Sequence, residues 1–170
     1  RNIDILGGIP VITGVMETSL VVKANDDSAP VELFRTLRNN LLFMLNEPNK
    51  QVVMVTSTIP GEGKTFISIN LARSLSLMDK KVLLIGGDIR NPRISHELGI
   101  PKVKTGFTTY LAGMESDHET LEEVMFPNFH IMQAGPVPPN PSELLGNSRF
   151  EKMVEACRMK YDMVIIDTPP

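Results

Sequence analysis

The sequence predicts a doubly wound α/β fold with a mostly parallel sheet. Three observations carry that expectation. Short, largely apolar runs recur at Val52–Val55, Val82–Ile85, His130–Gln133 and Met163–Ile166. Their continuous hydrophobicity suits parallel strands covered on both faces. Helical periodicity fills the intervals between them. Finally, a glycine-rich turn and the carboxylates Asp88 and Asp167 each follow such a run, where open α/β sheets bind ligands.

Taken in order, residues 1–28 are polar and irregular apart from two apolar patches, Ile9–Ile12 and Ser19–Val22. They read as a lead-in segment or linker able to add an edge strand. Residues 29–170 form the main domain. Ser28, Ala29 and Pro30 supply a helix start, since proline is tolerated in the first turn. That helix carries the i,i+4 stripe Leu33, Leu37, Leu41 and Leu45 and stops before Pro48. The run from Val52 ends at a turn holding Gly61 and Gly63, and Lys64 and Thr65 open a second helix with Ile67, Leu71, Leu75 and Met78 on its apolar side. A later helix starts at Ser148 and Glu151, which have the spacing of a capping box. Its stripe is Phe150, Met153, Val154, Cys157 and Tyr161.

Composition narrows the classes. A chain of 170 residues fits one domain, and 42% hydrophobic with 22% charged residues is ordinary for a globular protein. A net charge of −3 without a long basic block argues against a nucleic-acid partner. No apolar run approaches the ~18 residues of a membrane span. Cys157 is the single cysteine, so no internal disulfide forms; its place on an apolar stripe favours buried packing. His96, His118 and His130 are scattered without ligand spacing, which gives no support for a zinc site. A chain beginning at Arg1 reads as part of something longer.

The turn between strand and helix carries the chemistry. Glycines let the backbone turn successive N–H groups toward an anion, and the helix N-terminus adds its dipole. Pro60, Gly61, Glu62, Gly63, Lys64, Thr65 and Phe66 are therefore the candidate nucleotide-binding residues, although Thr58 stands where the full G-x-x-x-x-G-K-[ST] pattern has its first glycine. Lys64 is expected to reach the β/γ-phosphates and Thr65 to ligate Mg²⁺. Phosphoryl transfer also needs a carboxylate on a neighbouring strand to hold that ion. Asp167 has this character, and Asp88 is a second candidate. These readings place the fold in the P-loop class.

Here the sequence resembles a family. Thr56–Thr65, Val82–Pro92 and Val164–Pro170 resemble the three nucleotide motifs of the cytoplasmic domain of bacterial tyrosine kinases, which is coupled to capsule and exopolysaccharide export. Ala134–Leu145 resembles a Pro-Pro-Asn-Pro segment of those domains, and Leu6–Pro10 their linker. Glu32, Arg35 and Arg38 fit the E-x-x-R-x-x-R pattern used for subunit contacts.

The resemblance implies an ATP- and Mg²⁺-dependent protein-tyrosine kinase in which Lys64, Asp88 and Asp167 are catalytic and Thr65, Asp88 and Asp167 hold the metal. It also implies a ring-like homo-oligomer that phosphorylates the tyrosine-rich tail of a neighbouring subunit. The domain would be cytoplasmic, tethered to the inner membrane by a transmembrane chain-length regulator fused to it or acting in trans. The chain departs from the pattern in two ways. Gly86 stands where the family's acidic motif begins with an aspartate, which leaves the general base open. The chain also ends at Pro170, just after the last nucleotide motif, so the C-terminal part of the sheet and the tail are missing from it. Two other readings remain: a partitioning or septum-positioning ATPase, disfavoured by Ile59 where those proteins carry a second lysine, and a nucleotide-responsive assembly module without kinase activity.

Overall fold

The computed structural model describes residues 3–12, 17–45 and 51–170. Its elements are α1 (Ala29–Met44), β1 (Val52–Val55), α2 (Lys64–Ser76), β2 (Val82–Gly86), α3 (Ile94–Leu98) and α4 (Phe107–Leu111). A 3₁₀ turn (His118–Leu121), β3 (Glu122–Phe126), β4 (Phe129–Met132), α5 (Pro141–Leu145), α6 (Ser148–Lys160) and β5 (Met163–Asp167) follow. The five strands form one sheet in the order β1-β5-β2-β4-β3. Every pair is parallel except β3 with β4.

The expected mostly parallel, doubly wound sheet is present, and the apolar strands have the expected cause. Val82 and Leu84 of β2, with Met163 and Ile165 of β5, face a core built with Ile69, Leu75, Leu41 and Leu98. Leu83, Ile85, Val164 and Ile166 point the other way, onto Phe107, Leu111, Met153 and Cys157. Successive side chains alternate between two covered faces, so both sets of positions are apolar up to Ile85 and Ile166. Helix α2 is buried along Ser68–Ser76, against the sheet on one side and α1 on another. In α1 the deepest residues are Val31, Phe34 and Leu41. Leu37 and Leu45 only border the core, so the burial seam is rotated from the leucine stripe read in the sequence. Pro48 lies outside the described residues.

The cap of α6 is Asn147, whose side chain accepts from the Arg149 amide, and not the expected Ser148. Two further elements differ from expectation. The interval before β4 holds a strand, not a helix: Glu122–Phe126 pairs antiparallel with Phe129–Met132 through a tight turn. Asn128 there adopts φ 63°, a left-handed conformation that asparagine tolerates. The Pro127–Asn128 pair was the available turn signal, overshadowed by the charged Glu122 and Glu123. The lead-in segment, for its part, adds no edge strand among the described residues. Buried Asn70 of α2 holds it instead: its Oδ1 accepts from the amides of Val21 (2.8 Å) and Val22 (3.0 Å), and its Nδ2 donates to the Ser19 carbonyl (2.7 Å). One side chain thus supplies the partners that a sheet edge would have offered.

Replacing Asn70 by Ala removes those partners at once. The expected result is a loss of about 2–3 kcal/mol in denaturant unfolding and faster protease cleavage near residues 17–25. Unchanged cleavage in the variant would show that the segment is held by something else.

Candidate nucleotide and metal site

The strand order creates the site. Because β5 lies between β1 and β2, the carboxyl ends of all three meet. The glycine turn leaves β1, Asp167 closes β5, and Asp88 follows β2 two residues beyond Gly86. The 167–170 segment is fastened to β1: the Thr168 amide and hydroxyl both donate to the Val55 carbonyl (3.1 and 2.9 Å), and the Thr56 hydroxyl donates to the Pro169 carbonyl (3.0 Å).

In the turn, Gly61 and Gly63 both have φ 86°, a conformation that disfavours any side chain, and Gly63 caps α2. Glu62, though negative beside an anion cradle, turns back on the loop. Its Oε2 accepts from the amides of Thr58 (2.9 Å) and Ile59 (3.2 Å). Those amide bonds hold its carboxyl below the ordinary value. Glu62 therefore braces the start of the loop, where Thr58 replaces the usual glycine. The sequence reading did not foresee this role.

Asp167 is only 1% exposed. Its Oδ2 accepts from the Thr65 hydroxyl at 2.7 Å and its Oδ1 from the Ser68 hydroxyl at 3.2 Å. Burial raises its carboxyl above the ordinary value, the two hydroxyls oppose that, and the charge of Asp88 adds to it. Asp88 is 9% exposed and accepts from the Asn91 amide (3.0 Å), which closes a small turn. Lys64, Thr65, Asp88, Arg90 and Arg93 line a cleft of about 670 Å³. Asp88 and Arg93 also line an adjoining cavity of about 410 Å³, together with Gly86, Lys102, Lys104 and Asp167. The structure thus brings together Pro60, Gly61, Gly63, Lys64, Thr65, Phe66, Asp88 and Asp167, and leaves Glu62 facing the loop. Ser68 was missed because a serine one turn into a helix carries no signal without the strand that faces it.

Gly86 is tightly enclosed. A Cβ there would approach the Ala134 amide nitrogen to 3.0 Å and Ile94 Cδ1 to 3.4 Å. Arg90 donates to the Ser142 hydroxyl (3.1 Å), tying the Pro-Pro-Asn-Pro segment to the acidic loop.

Glu32, Arg35 and Arg38 lie on α1, away from this cleft. Arg35 pairs with Glu32 and with Asp27 (2.8 Å), and Arg38 donates to the Ser74 carbonyl of α2 (3.1 Å). Partial burial lowers the Arg38 guanidinium below its ordinary value. Within one chain these residues fix α1 against its own surroundings.

Residues 50–170 match the family model described as an AAA domain. Over 151 residues the chain is 39% identical to tyrosine-protein kinase etk of Escherichia coli (strain K12), covering 89% of this chain and 20% of that protein. The solved kinase domain of Escherichia coli tyrosine kinase ETK superposes with a TM-score of 0.82 at 33% identity, over 95% of this chain and 64% of the other. The chain belongs to the bacterial tyrosine-kinase family. It spans about a fifth of the length of the curated relatives it matches. A more distant likeness joins the family to the positioning ATPases. The septum site-determining protein MinD from Pyrococcus horikoshii OT3, solved with Mg-ADP, is 27% identical with a TM-score of 0.59, covering 69% of this chain and 48% of the other. Membership in this nucleotide-binding family accounts for the glycine turn on which the cleft is built.

The buried Asp167 predicts a pH signature. Its folded pKa is raised, so its favourable contribution is present below the unfolded carboxylate range and is lost as pH rises through the folded value. Asp167→Asn, free of metal and nucleotide, is expected to gain thermal stability relative to the parent as pH climbs from about 4. Parallel melting curves across that range would contradict the burial argument.

Proposed function

We propose that this chain supplies the nucleotide-binding part of an ATP-dependent protein-tyrosine kinase acting in capsule or exopolysaccharide production. The observation that carries the proposal is that Lys64, Thr65 and Asp88 line one cleft while the Thr65 hydroxyl donates to Asp167, which lines the adjoining cavity with Asp88. The oxygen donors Thr65, Asp88 and Asp167 fit Mg²⁺, a hard cation that prefers hydroxyl and carboxylate ligands. A carboxylate held in a desolvated position beside a second one is also relieved by a cation. Bound Mg-ATP would supply the phosphoryl group and neutralise charge developing on it.

The chain's own residues do the rest. The amides at Gly61–Thr65 and the α2 dipole bind the phosphates, and Lys64 stabilises charge on the transferred group. Thr65, Asp88 and Asp167 hold the metal directly or through water. With Gly86 in the family's first acidic position, Asp88 is the carboxylate left to accept the proton of the acceptor hydroxyl, since it borders both the nucleotide cleft and the adjoining cavity. Glu32, Arg35 and Arg38 dock subunits in a homo-oligomer, so that a neighbour's tyrosine-rich tail reaches the cleft. The domain works on the cytoplasmic side beside a transmembrane chain-length regulator. Among the described residues no helix is long and apolar enough to cross a membrane.

The close packing around Gly86 supports a second reading, a nucleotide-responsive assembly module without phosphotransfer. One experiment separates the two. The protein extended to its natural C-terminus is incubated with Mg-ATP, and phosphotyrosine is mapped by mass spectrometry. Lys64→Met is expected to lower the modification rate by roughly 10²–10³-fold. Tight ATP binding without phosphotyrosine would select the assembly module. In sedimentation, Arg38→Ala is expected to shift the extended protein toward monomers; an unchanged oligomer would remove α1 from the interface.

A further inference from the structure

Outside the cleft, one cluster of side chains has no part in the proposed chemistry. His118 and Cys157 are far apart in sequence, and the histidines gave no sign of a metal site there. The fold joins them at the start of β3. A ring nitrogen of His118, the Cys157 sulfur and a carboxylate oxygen of Glu122 all lie within 4.8 Å of one another. The cluster sits on the α6 face of the sheet, opposite the face that α2 covers.

Two of its polar atoms are unsatisfied. His118 Nε2 and Glu122 Oε1 are buried and have no hydrogen-bond partner among the described residues. The Glu122 side chain is only 4% exposed. Its other oxygen is fully engaged, accepting from Lys160 Nζ at 2.6 Å and from the Tyr161 hydroxyl at 2.7 Å. Tyr161 in turn meets His130 Nδ1 at 2.8 Å. The carboxylate is thus fixed on one side, with its second oxygen left toward the cluster. Orphaned buried polar groups are costly, and two beside one thiol call for a shared partner.

We propose that His118, Glu122 and Cys157 form a three-ligand site for a zinc ion, clasping the 3₁₀ turn and edge strand β3 to α6. Imidazole, carboxylate and thiolate together suit a borderline cation of the zinc type and not Mg²⁺. Three protein ligands leave a fourth tetrahedral position for water. On binding, the Cys157 S–H bond breaks as the zinc–sulfur bond forms, and the proton passes to water. The two anionic ligands then balance the charge of the ion. Without metal, burial pushes the thiol up to about 12, so Cys157 is inert by itself.

The test uses the full chain stripped of metal. Zinc is titrated against a chromophoric chelator while the melting temperature is followed, and cobalt(II) is used as a spectroscopic substitute whose thiolate charge-transfer band reports sulfur ligation. The expected results are one zinc per chain, a raised melting temperature, and a cobalt–thiolate band that Cys157→Ser abolishes. His118→Gln, on the 3₁₀ turn, keeps the thiol in place and is expected to weaken zinc by more than about tenfold. Asp88→Asn, in the nucleotide cleft, is expected to leave the band intact. Absence of the band in the parent chain overturns the proposal. So does a zinc-induced stabilisation that survives in both Cys157→Ser and His118→Gln.

Discussion

The carboxylate of Asp167, buried at the end of the interior strand β5, is the constraint on which the rest of this structure turns. A charge taken out of water must be compensated where it sits. Here the compensation comes from the first turn of α2, through the hydroxyls of Thr65 and Ser68. That requirement fixes how α2 approaches the sheet, and with it the position of Lys64 and the glycine turn. Two hydroxyl bonds do not return the carboxyl to its ordinary affinity for protons, because burial and Asp88 both push it upward. The site therefore retains an electrostatic demand that a divalent cation is suited to meet.

Around that demand the fold is built for rigidity. Both faces of the sheet are covered, so β2 and β5 are buried along their whole length. Helix α2 is buried from Ser68 to Ser76, and besides its bonds to Asp167 it is tied by Arg38 to Ser74 and by Asn70 to the lead-in segment. The helix that presents the phosphate-binding turn is thus fixed by α1, by the sheet and by the segment preceding α1. Arg38 of α1 donates to the Ser74 carbonyl near the far end of this helix, so α1 is fastened to the helix that opens at the glycine turn.

Glu62 and Gly86 show how individual positions depart from a simple motif. Glu62 makes up for the missing glycine at Thr58 by accepting two loop amides with its own carboxylate. Gly86 leaves room for the close approach of Ala134, two residues beyond β4. Its backbone lies in register with Asp167, and an added side chain would press on Ala134 and Ile94.

The sequence by itself determined the parallel α/β class and the runs that become β1, β2 and β5, and it set Lys64, Thr65, Asp88 and Asp167 just at or beyond the ends of those runs. Local pattern suffices for these, because a buried parallel strand must be apolar and a phosphate turn must be rich in glycine. Tertiary structure alone decided what depends on neighbours distant in the chain. The placement of β5 between β1 and β2 aligned Asp167 with Thr65, and the same packing recruited Ser68. The rotation of α1 that buried Val31 and Phe34 ahead of Leu33 goes with its packing on α2, where Phe34 meets the Phe66 ring. Strand β3 was hidden because an edge strand can keep polar residues, and its charged start does not resemble a buried run. The meeting of His118, Glu122 and Cys157 has no sequence period at all. It exists only because α6 packs on one face of the sheet and brings Cys157 to the 3₁₀ turn and the start of edge strand β3.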